Sequence, residues 1–187
     1  MVSFSDPEKL AKIFDDDNRH QWQNTDFILS ALNIKENEVI CDVGAGTGYF
    51  CQQILDKTLA SMIYAIDLEP NMVFYLKNRF SLEPKVRPLS CQADDPQIPQ
   101  DADVIFIANC YRFIQDRQRF LANLKQQLQR KARVFIVDFK GAASRVSPEQ
   151  ALSDVIHSGF EVLSFDRNSC PDHYICSFRL SERAVDQ

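Results

Sequence analysis

Glycine is scarce in this chain, with five in 187 residues, yet three of the five fall within positions 44–48. Cys-x-x-Cys pairs are missing, and the six cysteines stand scattered at 41, 51, 91, 110, 170 and 176. That spacing argues against a disulfide framework or a thiolate metal site and suits small hydrophobes in a reducing compartment. No apolar stretch approaches the ~18 residues that a membrane helix needs. The opening MVSFSDPEKL lacks the basic flank and apolar centre of a secretory signal, so a cytoplasmic location is expected. A net charge of -5 gives no reason to expect a long polyanion as partner. Internal repeats, low-complexity tracts and linker-like stretches are also missing. Residues 1–187 are therefore expected to form one domain, long enough to bury roughly 70% of its unfolded surface.

What is present alternates. Asp6-Pro7 marks a helix start, with proline at the first helical position, and that helix is expected to run to about Phe14. The acidic triplet Asp15-Asp16-Asp17 with Asn18 interrupts it, and a second helix is expected to reach about Leu32. Strands are predicted at 38–43, 62–66, 86–89, 104–108, 134–137, 160–165 and 174–180. Helices are predicted at 49–55, 70–80 and 115–128, with a last one between the Ser147-Pro148 cap and Gly159. Val104–Ala108 and Val134–Val137 are unbroken apolar runs, which suits parallel strands covered on both faces. Pro88 places the third strand at an edge. The order describes an α/β fold, a three-layer doubly wound, mostly parallel seven-stranded sheet closed by a C-terminal antiparallel hairpin. An N-terminal helical lid segment over 1–33 precedes a core over 38–180 in this scheme.

The glycines lie in CDVGAGTGYF, residues 41–50, between the first predicted strand and a helix. In doubly wound sheets, ligands sit outside the carboxyl ends of the strands. One glycine would suffice for a tight turn; three alternating ones predict the close approach of a ligand. The nicotinamide-dinucleotide pattern G-x-G-x-x-G is not met, because the sixth position counted from Gly44 is Tyr49. Asp42 would also repel a pyrophosphate, so a ligand of cationic character is favoured.

D-x-G-x-G-x-G at 42–48 resembles the cofactor motif of class I S-adenosylmethionine-dependent methyltransferases. The similarity continues through YAIDLEPNM (64–72), ADDPQIPQDADVIFIANCYRFI (93–114) and VFIVDFK (134–140). IFDDDNRHQWQ (13–23) and RVSPEQ (145–150) resemble a subgroup of small bacterial-type enzymes with type 11/12-like domains. The resemblance implies a Rossmann-like methyltransferase fold, S-adenosyl-L-methionine as cofactor, no metal, and methyl transfer by direct in-line displacement.

It sets Gly44, Ala45, Gly46 and Gly48 against the methionine part and Asp42 near the amino group, the alternative for Asp42 being to cap the loop's own amides. It sets Asp67 on the ribose hydroxyls, Leu68 at the adenine edge, Asp94 (or its neighbour Asp95) at the adenine amino group, and Asn109 facing the methyl group.

Displacement at a sulfonium demands orientation more than a base, so no nucleophile–base pair is required. Catalytic candidates are Asn109, Tyr111 and Arg112. Asp138 and Lys140 join them on the acceptor side, together with Asp16, Arg19, His20 and Trp22 of the lid segment. His157 and His173 are expected to lie away from the site. Related sequences carry histidines after the tyrosine at the fourth strand's end, where this chain has Arg112 and Phe113. Arg112 suits either a substrate carboxylate or phosphate or a pairing with Asp116. A small-molecule acceptor is expected. The alternatives are a cofactor-binding protein without transferase activity and a nicotinamide-dependent oxidoreductase.

Overall fold

The computed structural model describes residues 6–16, 18–141 and 144–182; Asp17 and the first five residues of the expected lid segment lie outside these ranges. In chain order the elements are α1 (Pro7–Phe14), α2 (Arg19–Gln23), α3 (Thr25–Leu32), β1 (Val39–Val43), α4 (Tyr49–Lys57), β2 (Met62–Asp67) and α5 (Pro70–Arg79). They continue with β3 (Val86–Ser90), β4 (Val104–Ala108), a 3-10 turn (Tyr111–Phe113), α6 (Arg117–Gln127), β5 (Arg133–Phe139), α7 (Pro148–His157), β6 (Phe160–Asp166) and β7 (His173–Leu180). Three helices start on side-chain caps that satisfy an otherwise orphaned N–H: Asp6 accepts from Lys9, Asp116 from Arg119 and Ser147 from Gln150.

The expected helix up to Leu32 is divided into α2 and α3. Asn24 takes a left-handed conformation (φ 57°, ψ 55°) between them, and its side-chain amide donates to the Ser169 carbonyl at 2.9 Å. That partner is distant in sequence, so the break is a tertiary effect.

The strands form one sheet in the order β3-β2-β1-β4-β5-β7-β6. The first five are parallel, and β7 runs antiparallel to both β5 and β6. β3, with its proline, is an edge strand as expected.

Strand side chains alternate between two cores, as the two-residue period requires. Ile40, Ile63, Val104, Phe106 and Val137 pack with α3, α4 and α5. Cys41, Ile66, Ile105, Ile107 and Ile136 pack with α6 and α7. Both faces of the central strands are therefore covered, which explains their unbroken apolar runs.

Phe106 is fully buried and meets Phe50 edge-on, with ring centroids 4.7 Å apart. Phe106→Ala is expected to remove about 3–5 kcal/mol of stability, measured by chemical denaturation. A loss below about 1 kcal/mol would show that the two faces do not share one cooperative core.

Candidate functional site

The sheet order reverses between β1 and β4, and the loops at their carboxyl ends diverge there to open a crevice. The glycine loop forms one wall. Gly44 N and Ala45 N both donate to the Ile66 carbonyl, at 2.8 and 3.0 Å. Asp67, at the tip of β2, accepts from Gly46 N at 2.8 Å and from Glu69 N at 2.9 Å, one bond on each oxygen. The capping of loop amides considered for Asp42 thus falls to Asp67. Each Asp67 oxygen retains a further lone pair, and burial raises the pKa of the carboxyl. Asp42 is 2% exposed and takes a bond from the Cys51 thiol at 3.3 Å. Burial pushes its pKa up to about 7, against the opposing pull of that bond and of Arg19.

Two of the three loop glycines have a reason inside the protein. Gly44 has φ +75°, and a Cβ there would lie 2.5 Å from Cys110 Sγ. Gly48 has φ +87°, and its Cβ would lie 2.6 Å from the Phe80 ring. Backbone conformation and internal packing account for both. A Cβ on Gly46 would meet its nearest neighbour, the Phe14 ring, only at 3.7 Å. Gly46 is therefore the loop glycine for which internal packing gives no such reason.

The N-terminal segment closes over this loop. Asp15 pairs with Arg79 Nη1 at 2.6 Å and accepts from Thr47 Oγ1 at 3.2 Å. Arg19 is 6% exposed, and its partners are neutral: Nε donates to Gln23 Oε1 at 2.5 Å and Nη1 to the Phe14 carbonyl at 2.6 Å. Its guanidinium carbon sits 3.9 Å from the centre of the Tyr49 ring. Burial lowers the Arg19 pKa to about 10, while Tyr49, Asp15 and Asp42 oppose the shift. Arg19 thus stands over the start of α4, and its guanidinium also lies 5.8 Å from the centre of the Trp22 ring. Asp16 and His20 are exposed, and Asp16 is engaged by Asn18.

The tips of β4, β5 and β7 form the other wall. Asn109 adopts φ +56°, donates its N–H to the Val137 carbonyl at 2.8 Å, and shares a 2.7 Å bond between its Oδ1 and His173 Nε2. His173 was expected to lie elsewhere. Antiparallel pairing sets it opposite Phe139 at the carboxyl end of β5, the register cue that would have placed it. It is buried, and burial followed by Arg19, Arg112 and Lys140 brings its pKa down to about 3. Trp22 stacks on Phe139 and His173 at 5.8 and 5.6 Å, which brings it to this wall.

Tyr111, a catalytic candidate, does not reach the wall. Its buried hydroxyl donates to Asp154 of α7 at 3.1 Å, beside an Arg117–Asp154 bond of 2.7 Å. Arg112 pairs with Asp138 at 3.3 Å, not with Asp116, which caps α6. Lys140 Nζ donates to the Cys170 carbonyl at 2.7 Å and so ties down the hairpin turn. Asp94 pairs with Arg119 at 2.8 Å, and Asp95 accepts from Gln127 at 2.6 Å. Leu68 is exposed beside the Asp67 tip. His157 bonds within its own helix, to Ser153.

The family described as a methyltransferase domain matches residues 40–131, from β1 through the turn after α6. That match, just under half of the chain, together with the relatives and structures below supports a class I S-adenosylmethionine-dependent methyltransferase. Over 106 residues the chain is 29% identical to a malonyl-[acyl-carrier protein] O-methyltransferase of Acetivibrio thermocellus, a match covering 57% of the chain and 37% of that protein. It is 34% identical over 59 residues to a probable ribosomal RNA small subunit methyltransferase A of Methanococcoides burtonii, covering 32% and 21%. The chain therefore spans well under half the length of these curated relatives. The crystal structure of an S-adenosylmethionine-dependent methyltransferase from Aquifex aeolicus matches with a TM-score of 0.83, over 94% of this chain and 99% of that one, at 23% identity. That likeness establishes the shared fold.

The ionisation of Asp42 has a cost in this fold. A carboxyl whose folded pKa lies above its unfolded value holds its proton more tightly when folded. Stability is therefore lost as pH rises from the unfolded range, near 4, to about 7 in the folded chain. Asp42→Asn is expected to gain stability over the parent in that window and to keep the gain above it. Denaturant titrations of the ligand-free chain at several pH values check this; a difference independent of pH would mean that Asp42 is ordinarily ionised.

Proposed function

We propose that this chain binds S-adenosylmethionine at the tips of β1 and β2 and transfers its methyl group to a small-molecule acceptor on the wall formed by β4, β5 and β7. One observation carries the reading. The crevice gathers a buried and a half-buried acid at neighbouring strand tips and a buried guanidinium whose hydrogen-bond partners are neutral. That donor set complements a ligand with an ammonium, a diol and a carboxylate but no phosphate. Asp42 would take the ammonium and Arg19 the carboxylate of the amino-acid end. Asp67 would accept from the sugar hydroxyls with the lone pairs its loop bonds leave over. Gly46 supplies the bare backbone, and Gly44, Ala45 and Gly48 set its path. Leu68 and Asp94 would border the base, with Asp95 as the alternative. The bound cofactor supplies an electrophilic methyl on a good leaving group. The chain's own part is orientation and exclusion of water, through Asn109 and a lid of α1 and α2.

A groove of about 630 Å³ beside this wall, bordered by Phe139, Lys140, Arg167 and Asp172, supports an acceptor of small-molecule size. His173 is buried and neutral, and Asp138 is engaged by three groups, so neither offers a ready base. An acceptor that attacks without first losing a proton suits such a wall. Six free thiols support a cytoplasmic location.

Calorimetry is expected to show S-adenosylmethionine and S-adenosylhomocysteine binding at low-micromolar concentration, on the order of -8 kcal/mol, and no binding of NAD. Asp67→Ala should weaken binding by roughly 1–3 kcal/mol. Affinity should also decline as pH falls below about 7, where Asp42 gains its proton. Binding of NAD with neither sulfur compound bound would end this reading.

A further inference from the structure

We propose that Arg112 and Arg145 form an oxyanion clamp around the ring of Phe113, so that the acceptor carries a carboxylate or phosphate beside a flat apolar body. The clamp rests on the assignment of the β4–β5 wall as the acceptor side, and it names the substrate class of that wall.

The guanidinium carbons of Arg112 and Arg145 lie 4.8 and 4.9 Å from the centre of the Phe113 ring. Sharing one ring holds the two cations within roughly 10 Å of each other, about one screening length. The acid paired with Arg112 is already engaged. Asp138 accepts from Arg112 N at 3.0 Å and Phe139 N at 2.8 Å, leaving the Arg112 side chain a longer 3.3 Å contact. Asp116, close to Arg112 in sequence, is turned to cap α6, and Glu149, close to Arg145, pairs with Arg167. Among the described residues Arg145 has no carboxylate within ion-pair distance.

Arg112 thus shares its one acid with two backbone amides, and among the described residues Arg145 pairs with none, in a chain whose net charge is -5. Such a local excess against the overall sign is what an anionic ligand would neutralise. The planar fork of a guanidinium matches a carboxylate or phosphate through paired hydrogen bonds.

The apolar half of the ligand has a wall beside this pair. Arg112 also lies 4.3 Å from the centre of the Phe139 ring, and Trp22 stacks on the same ring. Phe113, Phe139 and Trp22 are all partly exposed, so their rings offer flat apolar surface between the cations and Asn109.

The full chain, with and without S-adenosylhomocysteine, is titrated with inorganic phosphate, phenyl phosphate and benzoate. At least one aromatic probe should saturate with a dissociation constant on the order of 1 mM, more tightly than inorganic phosphate and more weakly as salt rises. Tighter phenyl phosphate assigns a phosphorylated acceptor; tighter benzoate assigns a carboxylate. Arg145→Ala and Arg112→Met should each weaken the probe about tenfold, through loss of a charge-assisted contact, and Arg145→Lys should restore part of it. Arg145 is exposed, so its variants test the clamp without disturbing Asp138. Saturable binding by none of the probes, or binding indifferent to Arg145→Ala, overturns the clamp. If S-adenosylhomocysteine still binds in that case, the cofactor reading stands alone. If a probe behaves as expected and S-adenosylhomocysteine does not bind, the clamp stands and the cofactor reading falls.

Discussion

The glycine loop after β1 is held in shape by the tip of β2, through two amides on the Ile66 carbonyl and a third on the Asp67 carboxylate. Most of the crevice follows from that attachment. Parallel pairing sets Val43 beside Ile66, so the loop leaves β1 where β2 presents the Ile66 carbonyl. The loop must then turn sharply, which places Gly44 and Gly48 in left-handed conformations against Cys110 and Phe80. The same bonds fix Asp67 at the crevice. A slip of one residue in the β1–β2 register would send Asp42 to the opposite face of the sheet.

Around this frame the molecule buries more negative charge than it neutralises. Asp42, Asp67 and Asp138 stand at or beside the tips of β1, β2 and β5, and burial raises the pKa of each. Removing a carboxylate from water is costly unless it is paired or bonded. Asp67 and Asp138 offset part of the cost with backbone amides, but Asp42 has only a thiol. Arg19 mirrors it as a buried cation bonded to neutral oxygens. Opposite charges left incompletely satisfied on facing elements suit the zwitterionic ligand proposed for this crevice.

Much of the fold was legible because the signals were local. Val104–Ala108 agrees with the predicted strand at both ends, and the Ser147-Pro148 cap starts α7 as expected. The unbroken apolar runs in the central strands and the proline in β3 were enough for the layers and one edge. The helix break at Asn24 was not legible, because its partner is a carbonyl far along the chain. Tyr111 shows the same limit: its position after β4 suggested the acceptor wall, yet Asp154 and Arg117 draw its hydroxyl under α7. His173 errs in the other direction, brought to Asn109 by a strand pairing that its neighbours in sequence do not announce.

The sequence by itself determined the order of strands and helices, the place of the glycine loop and the acids at the strand tips. These depend on period, caps and backbone freedom, which act over a few residues. Only the tertiary structure decided which carboxylate caps the loop, which glycines serve packing, and which cations face the crevice. Those outcomes depend on contacts between segments distant along the chain, where burial changes the cost of each charge and removes the freedom of each side chain.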